Sequence, residues 1–175
     1  GRPVLHIREP GGVKISEAVR RILLDVRNSG MTKECETLLY MAARAQLVEE
    51  KVVPAMKQGL VVLCDRFLDS TVAYQGYGNG VDLNFIKEIG RVVTQGLVPD
   101  LTFLFDIDTE KGLERTGRNK DRIELRSLNY HNRVRKGYLK LAQEEPARVK
   151  IIKVNKSKED IHALVKKAVD ALLGW

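Results

Sequence analysis

The 175 residues are 43% hydrophobic and 30% charged, a composition that supports one packed core and excludes disordered, collagen-like and peptide classes. Lys and Arg number 30 against 23 acids, a net charge of +7 that points to polyanionic company, phosphorylated small molecules or nucleic acid. Because the positive residues are interspersed with acids and aromatics make up only 6%, no stacking surface for nucleic acid stands out. Apolar runs such as residues 60–64 are far too short to cross a bilayer, and Arg8-Glu9-Pro10-Gly11-Gly12 interrupts any leader-like stretch. The two isolated cysteines, Cys35 and Cys64, read as reduced thiols, so a cytoplasmic protein is expected.

In chain order, residues 4–8 read as a strand stopped by Pro10-Gly11-Gly12. Residues 15–26 carry Ile15, Ala18, Val19, Ile22, Leu23 and Val26 at helical spacing, and Asn28-Ser29-Gly30 marks the turn after them. Thr32 caps a helix over about 33–57, with Pro54 as a kink or break and Gly59 as its end. Residues 60–64 form a continuous apolar run of the kind buried on both faces, delivering Asp65-Arg66 at its carboxyl end. Asp69-Ser70-Thr71 opens another helix, 76–80 reads as a loop and 83–93 as a helix. Residues 100–106 read as a strand and 109 to about 116 as a short helix. The basic stretch 115–126 looks too charged to pack and reads as a mobile lid. A helix over 127–142, a strand over 149–154 and an amphipathic helix over 158–173 complete a single domain spanning 1–175. This alternation predicts a parallel sheet with helices on its faces.

Chemistry concentrates at the strand exits, where open parallel sheets hold their ligands. Asp65-Arg66 sets a carboxylate able to organise a metal beside a fork suited to phosphate, an arrangement that a structural ion pair would share. Glu9 supplies a second acid, and Gly11 and Gly12 give backbone N–H groups room to approach an anion, unless the string is an ordinary strand-to-helix turn. Arg20, two turns into the next helix, either reaches back to a phosphate or is solvated. Glu36, Tyr40 and Arg44 recur at i, i+4 and i+8, so one helical face presents an aromatic plane beside a five-donor fork. That pair suits a nucleobase, and core filler beside a surface charge fits the same spacing. Ser70, Thr71, Tyr74 and Gln75 follow Asp65-Arg66 within two helical turns and add hydroxyls and an amide. Arg115, Arg118 and Arg122 are placed either to close over a transferring phosphoryl group or to lie in an exposed loop. His6, His131 and His162 stand apart and receive no catalytic role.

Five strings, Arg8-Glu9-Pro10-Gly11-Gly12, the segment 38–44, Asp65-Arg66-Phe67, the segment 69–76 and Pro99-Asp100-Leu101-Thr102, resemble the markers of the thymidylate kinase family in their order and spacing, over essentially the whole chain. The resemblance implies a three-layer α/β, P-loop NTPase-like domain that phosphorylates dTMP, with ATP as donor and Mg²⁺ as cofactor. It puts Tyr40 on the thymine ring, Arg44 on a base carbonyl, Gln75 near the base and Tyr74 against the sugar 2′ position. Arg20 and Arg66, with Ser70 and Thr71 beside them, fall on the acceptor phosphate, and Glu9 and Asp65 on the metal and phosphate network. Arg115, Arg118 and Arg122 fall in a basic lid of the bacterial type. Family members form homodimers, for which the apolar face of Ile86, Ile89, Val92 and Val93 would serve, unless it is core. Phe67 stands where many relatives have Tyr. No GxxxxGK[ST] string occurs, so the family's first strand, phosphate loop and following helix are expected to be missing and the sequence to be N-terminally incomplete. Another P-loop nucleoside or nucleotide kinase, a non-catalytic nucleotide-binding remnant and a basic nucleic-acid binder are the alternatives.

Overall fold

A computed structural model describes residues 2–115, 117 and 120–174. Strand β1, Val4–Arg8, pairs in parallel with β2, Val61–Asp65, placing Arg8 opposite Asp65 so that both chains leave the sheet at one edge. Strands β3, Thr102–Asp106, and β4, Val149–Lys153, form a second parallel pair, and among the described residues no ladder joins the two pairs. Alternation along the first pair sends Leu5, Ile7, Val62 and Cys64 to one face, against Val13, Leu47, Val48, Val52 and Phe67. Their neighbours His6 and Leu63, direct partners in the ladder, point the other way, and Leu63 is 49% exposed. The reading of residues 60–64 as buried on both faces is therefore corrected, because the packed residues cover only one face of this pair.

Helix α1, Lys14–Leu24, gives way to a 3₁₀ turn at Val26–Asn28, where the Asp25 carboxylate accepts from the Arg27 amide. Thr32 accepts from the Cys35 amide and starts α2, Lys33–Leu47. Pro54 does not break the chain: a π-helical turn, Val48–Val52, widens the helix just before α3, Val53–Lys57, whose first turn accommodates the ring. After β2 comes α4, Leu68–Thr71, which runs into a second π-helical turn, Val72–Gly78. This corrects the loop expected over 76–80. A Cβ on Gly76 would come within 2.5 Å of Leu83 Cδ2, and one on Gly78 within 2.7 Å of the Tyr130 ring, so these glycines mark close packing rather than a turn. Helix α5, Leu83–Val93, has the expected bounds, and Asp82 caps the Phe85 amide.

Helices α6, Thr109–Glu114, α7, Leu128–Glu144, and α8, Lys158–Leu173, follow. Helix α7 is the bridge of the molecule, packing on the second π-helical turn, α4, α6, β3 and β4. Its Tyr130 and Val134 join Ala73 and Ile123, while Leu141 joins Met41, Val72, Val81 and Ile86. Ile86 is thus core rather than part of a free face, whereas Val92 on the same helix is 74% exposed. Within the stretch 115–126, the described residues 120–126 pack more than their charge suggested. Ile123 is buried on α7 and Arg122 is buried because its charge is met inside the protein. Among the described residues no helix is long and apolar enough to cross a membrane.

Candidate active site

Both strands of the first pair end in charge. The Glu9 amide donates to the Asp65 carbonyl (3.0 Å), which holds the two exits together, and Asp65 itself is exposed. Arg66 adopts φ +71°, a left-handed conformation costly for a side-chain-bearing residue, and this aims its guanidinium over the Tyr74 ring at 5.0 Å. At the Pro10-Gly11-Gly12 turn a backbone N–H does reach an anion, a carboxylate of the chain itself. The Gly12 amide donates to Glu17 Oε1 (2.8 Å), and this hydrogen bond, helped by Arg8, holds the Glu17 carboxyl below its ordinary range. Arg20 reaches back to the same turn, Nη1 donating to the Pro10 carbonyl (2.9 Å), with the Tyr40 hydroxyl and Asp121 among the groups acting on its charge.

Helix α2 lies beside the α4–π segment, so that Arg44 and Glu36, eight residues apart on the one, meet Thr71 and Gln75, four residues apart on the other. Arg44 Nη1 donates to Thr71 Oγ1 (3.0 Å), and Gln75 Nε2 donates to Glu36 Oε1 (2.9 Å). Tyr40 sits between Glu36 and Arg44 on this face, half-buried, and burial raises its hydroxyl pKa, with Glu36, Arg66, Arg122 and Asp121 as the charges acting on it. Arg44 is also the buried partner of Glu9, with Nη2 2.6 Å and Nε 2.8 Å from Oε2, and its guanidinium lies 5.5 Å from the Phe67 ring. Desolvation pushes the Glu9 pKa up against the pull of Arg44. Tyr74 packs edge-on against Tyr130 and Tyr138, and the Tyr138 hydroxyl donates to Ser70 Oγ (2.7 Å). Tyr40, Arg44, Arg66, Thr71, Tyr74 and Gln75 therefore belong to one continuous cluster at the exit of β2.

The three arginines of the polar stretch separate. Arg115 is exposed at the end of α6, and Arg118 lies outside the described residues. Arg122 is turned inward: Nη1 pairs with Glu36 at 2.7 Å and Nε donates to the Leu23 carbonyl at 2.7 Å, which ties this residue to α1 and α2. Sequence reasoning missed Arg126, whose Nη2 reaches Glu36 Oε2 (2.7 Å), whose Nη1 donates to Asn79 Oδ1, and which lies over the Tyr130 ring. The signal available was Glu36 itself, an acid on the helical face shared by Tyr40 and Arg44. A cleft of about 380 Å³ along α7, with Arg133, Arg135 and Lys136 on its wall, opens on the side of that helix opposite Tyr130 and Val134 and takes no part in the cluster.

An aromatic plane, an amide and several buried or aimed guanidiniums at the carboxyl edge of a parallel α/β sheet are suited to a phosphorylated nucleobase, which places the chain in the class of nucleotide-binding α/β proteins. A sequence model of the thymidylate kinase family matches residues 1–165. The chain is 44% identical over 176 residues to the thymidylate kinase of Pelotomaculum thermopropionicum, covering 99% of this chain and 82% of that one. With the Geotalea daltonii thymidylate kinase the identity is 47% over 178 residues, covering 97% and 83%. The crystal structure of thymidylate kinase from Ehrlichia chaffeensis superposes with a TM-score of 0.77 at 30% identity, covering 95% of this chain and 81% of that one. The chain belongs to the thymidylate kinase family, and its function is dTMP phosphorylation in nucleotide biosynthesis.

Proposed function

We propose that the cluster at the exit of β2 is the dTMP site, with Tyr40 stacked on thymine, Arg44 and Gln75 at the base edge, Tyr74 beside the sugar, and Arg66 and Arg20 on the phosphate. Ser70 and Thr71 serve indirectly, Thr71 by holding Arg44 and Ser70 by receiving Tyr138. The observation that carries this reading is the side-by-side pairing of Glu36 with Gln75 and Arg44 with Thr71, which leaves Tyr40 between two polar anchors. An acceptor phosphate oxygen then attacks the γ-phosphorus of ATP in line as the bond to the β–γ bridging oxygen breaks, giving dTDP and ADP. The chain contributes orientation and positive charge.

Magnesium fits Asp65 better than Glu9. Mg²⁺ takes one or two carboxylates along with water and phosphate oxygens, and Asp65 offers an exposed one. Glu9 has Oε2 committed to Arg44 and a proton affinity raised by burial, so we assign it to holding Arg44. The ion would neutralise charge on the transferring phosphoryl group. Arg115 and Arg118 are the lid arginines of this scheme, while Arg122 anchors the lid. The enzyme works in the cytoplasm as a homodimer whose interface does not include the buried Ile86.

Calorimetry with dTMP, dUMP, dCMP and AMP tests the site directly. Arg66→Ala is expected to abolish most dTMP affinity, and equal affinity for AMP and dTMP would exclude a thymidylate site. Sedimentation equilibrium tests the dimer, with a monomer at micromolar concentration as the opposing result.

A further inference from the structure

We infer that Glu36 is a specificity-determining positioning residue, which fixes the Gln75 amide so that the site accepts only pyrimidines carrying a proton on ring nitrogen N3. The inference rests on the assignment of Gln75 to the base edge. Glu36 is completely buried, and four donors from two other segments converge on its carboxylate. Gln75 Nε2 (2.9 Å) and Asn79 Nδ2 (2.8 Å) reach Oε1 from the second π-helical turn and the residue after it. Arg122 Nη1 (2.7 Å) and Arg126 Nη2 (2.7 Å) reach Oε2 from the polar stretch.

A carboxylate facing two guanidiniums only accepts hydrogen bonds, so an amide beside it must present its nitrogen. This settles which way the Gln75 amide is turned, a choice that coordinates alone often leave open. Its oxygen, Oε1, is thereby directed away from Glu36 and has no hydrogen-bond donor among the described residues. An amide held in that sense offers an acceptor to whatever lies beside Tyr40. Thymine and uracil carry N3–H, a donor, and are matched; cytosine presents a bare N3, an acceptor, and meets oxygen against nitrogen lone pair. Gln75 is 1% exposed, and two acceptors left face to face at a buried amide are strongly penalised, so a single oriented amide is enough to discriminate. Asn79 and the arginines complete the device by filling the rest of the carboxylate's capacity, so that Glu36 cannot turn away.

The test measures dissociation constants of dTMP, dUMP and dCMP by calorimetry for the wild-type chain, Glu36→Gln, Gln75→Ala and the double variant. Glu36→Gln puts an amide opposite the Gln75 amide and frees it to flip, so the preference for dTMP over dCMP is expected to fall about tenfold or more. The preference for dTMP over dUMP should stay unchanged, because the two bases are identical at N3. In the Gln75→Ala background the same Glu36 substitution should no longer alter the dTMP to dCMP ratio. An unchanged ratio in Glu36→Gln, with Gln75→Ala lowering it, overturns the inference. If Gln75→Ala itself leaves the ratio unchanged, the placement of Gln75 on the base fails, which is a separate result. Should Glu36→Gln not fold, Glu36→Asp keeps the charge for both arginines while withdrawing the carboxylate from Gln75. It carries the same expectation, and an unchanged ratio in it is the overturning result.

Discussion

Arg44 shows how one residue is tied to stability and recognition together. Its guanidinium and the Glu9 carboxylate are 2% and 4% exposed, so removing one leaves the other charged and enclosed. Arg44→Ala is expected to lower unfolding free energy by about 3–5 kcal/mol in urea titrations. Replacing both partners, Arg44→Met with Glu9→Leu, should recover most of that loss, because no lone charge remains, while dTMP binding stays weakened by about tenfold or more. A double variant as unstable as the single one would show that the pair itself holds the fold. Cys64 offers a second test at this scale. Burial pushes its thiol up to about 12 from 9.0, and Sγ donates to the Arg66 carbonyl (2.9 Å), whereas Cys35 is exposed. Iodoacetamide at about pH 8.5 should therefore modify Cys35 and reach Cys64 only on unfolding, as peptide mass mapping would reveal. Between pH 9 and 12 the folded state keeps the Cys64 proton that the unfolded state gives up, so this residue makes stability fall as pH rises through that window. Cys64→Ala should flatten the decline, and a slope identical to wild type would contradict the shift.

At the scale of elements, the contact between α7 and the second π-helical turn decides whether the site exists. A Cβ on Gly137 would lie 2.7 Å from the Tyr77 ring and 2.8 Å from Tyr77 Cβ, atoms too near the backbone to swing clear. Gly137→Ala is expected to cost about 1–3 kcal/mol and to weaken dTMP binding, since moving the turn moves Gln75 and Tyr74. Thermal unfolding checks the first effect and calorimetry the second; a wild-type melting temperature would mean that the helix shifts freely. The elements also mark where sequence reading reached its limit. Helices α5 and α8 have the bounds read for them from the sequence, because local side-chain spacing specifies them. The π-helical turns were invisible: glycines at 76 and 78 read as loop chemistry, when their purpose is to let Leu83 and Tyr130 approach.

At the largest scale, the two parallel strand pairs share no ladder among the described residues, so side-chain contacts join the halves. Arg148, just before β4, makes a two-pronged contact with Asp69 at the start of α4 (2.7 and 2.9 Å) and donates to Thr102 Oγ1 at the start of β3 (3.0 Å). Arg148 and Asp69 are 12% and 18% exposed, shielded enough for the bond to count. Arg148→Ala should raise amide hydrogen exchange in β3 and β4 well above that in β1 and β2, the two pairs loosening as separate units. Uniform exchange in both pairs would place the joint elsewhere, in α7 alone.

The motifs along the chain determined the family, the strand exits where ligands gather and the face shared by Glu36, Tyr40 and Arg44, because each depends on neighbours within a turn or two of sequence. Only the tertiary structure decided that Arg122 is buried against Glu36, that Arg44 is held by Glu9 and that Arg126 joins Glu36. Those outcomes turn on which buried charge meets which partner 35 to 90 residues away, and desolvation makes that choice only after the chain has closed around it.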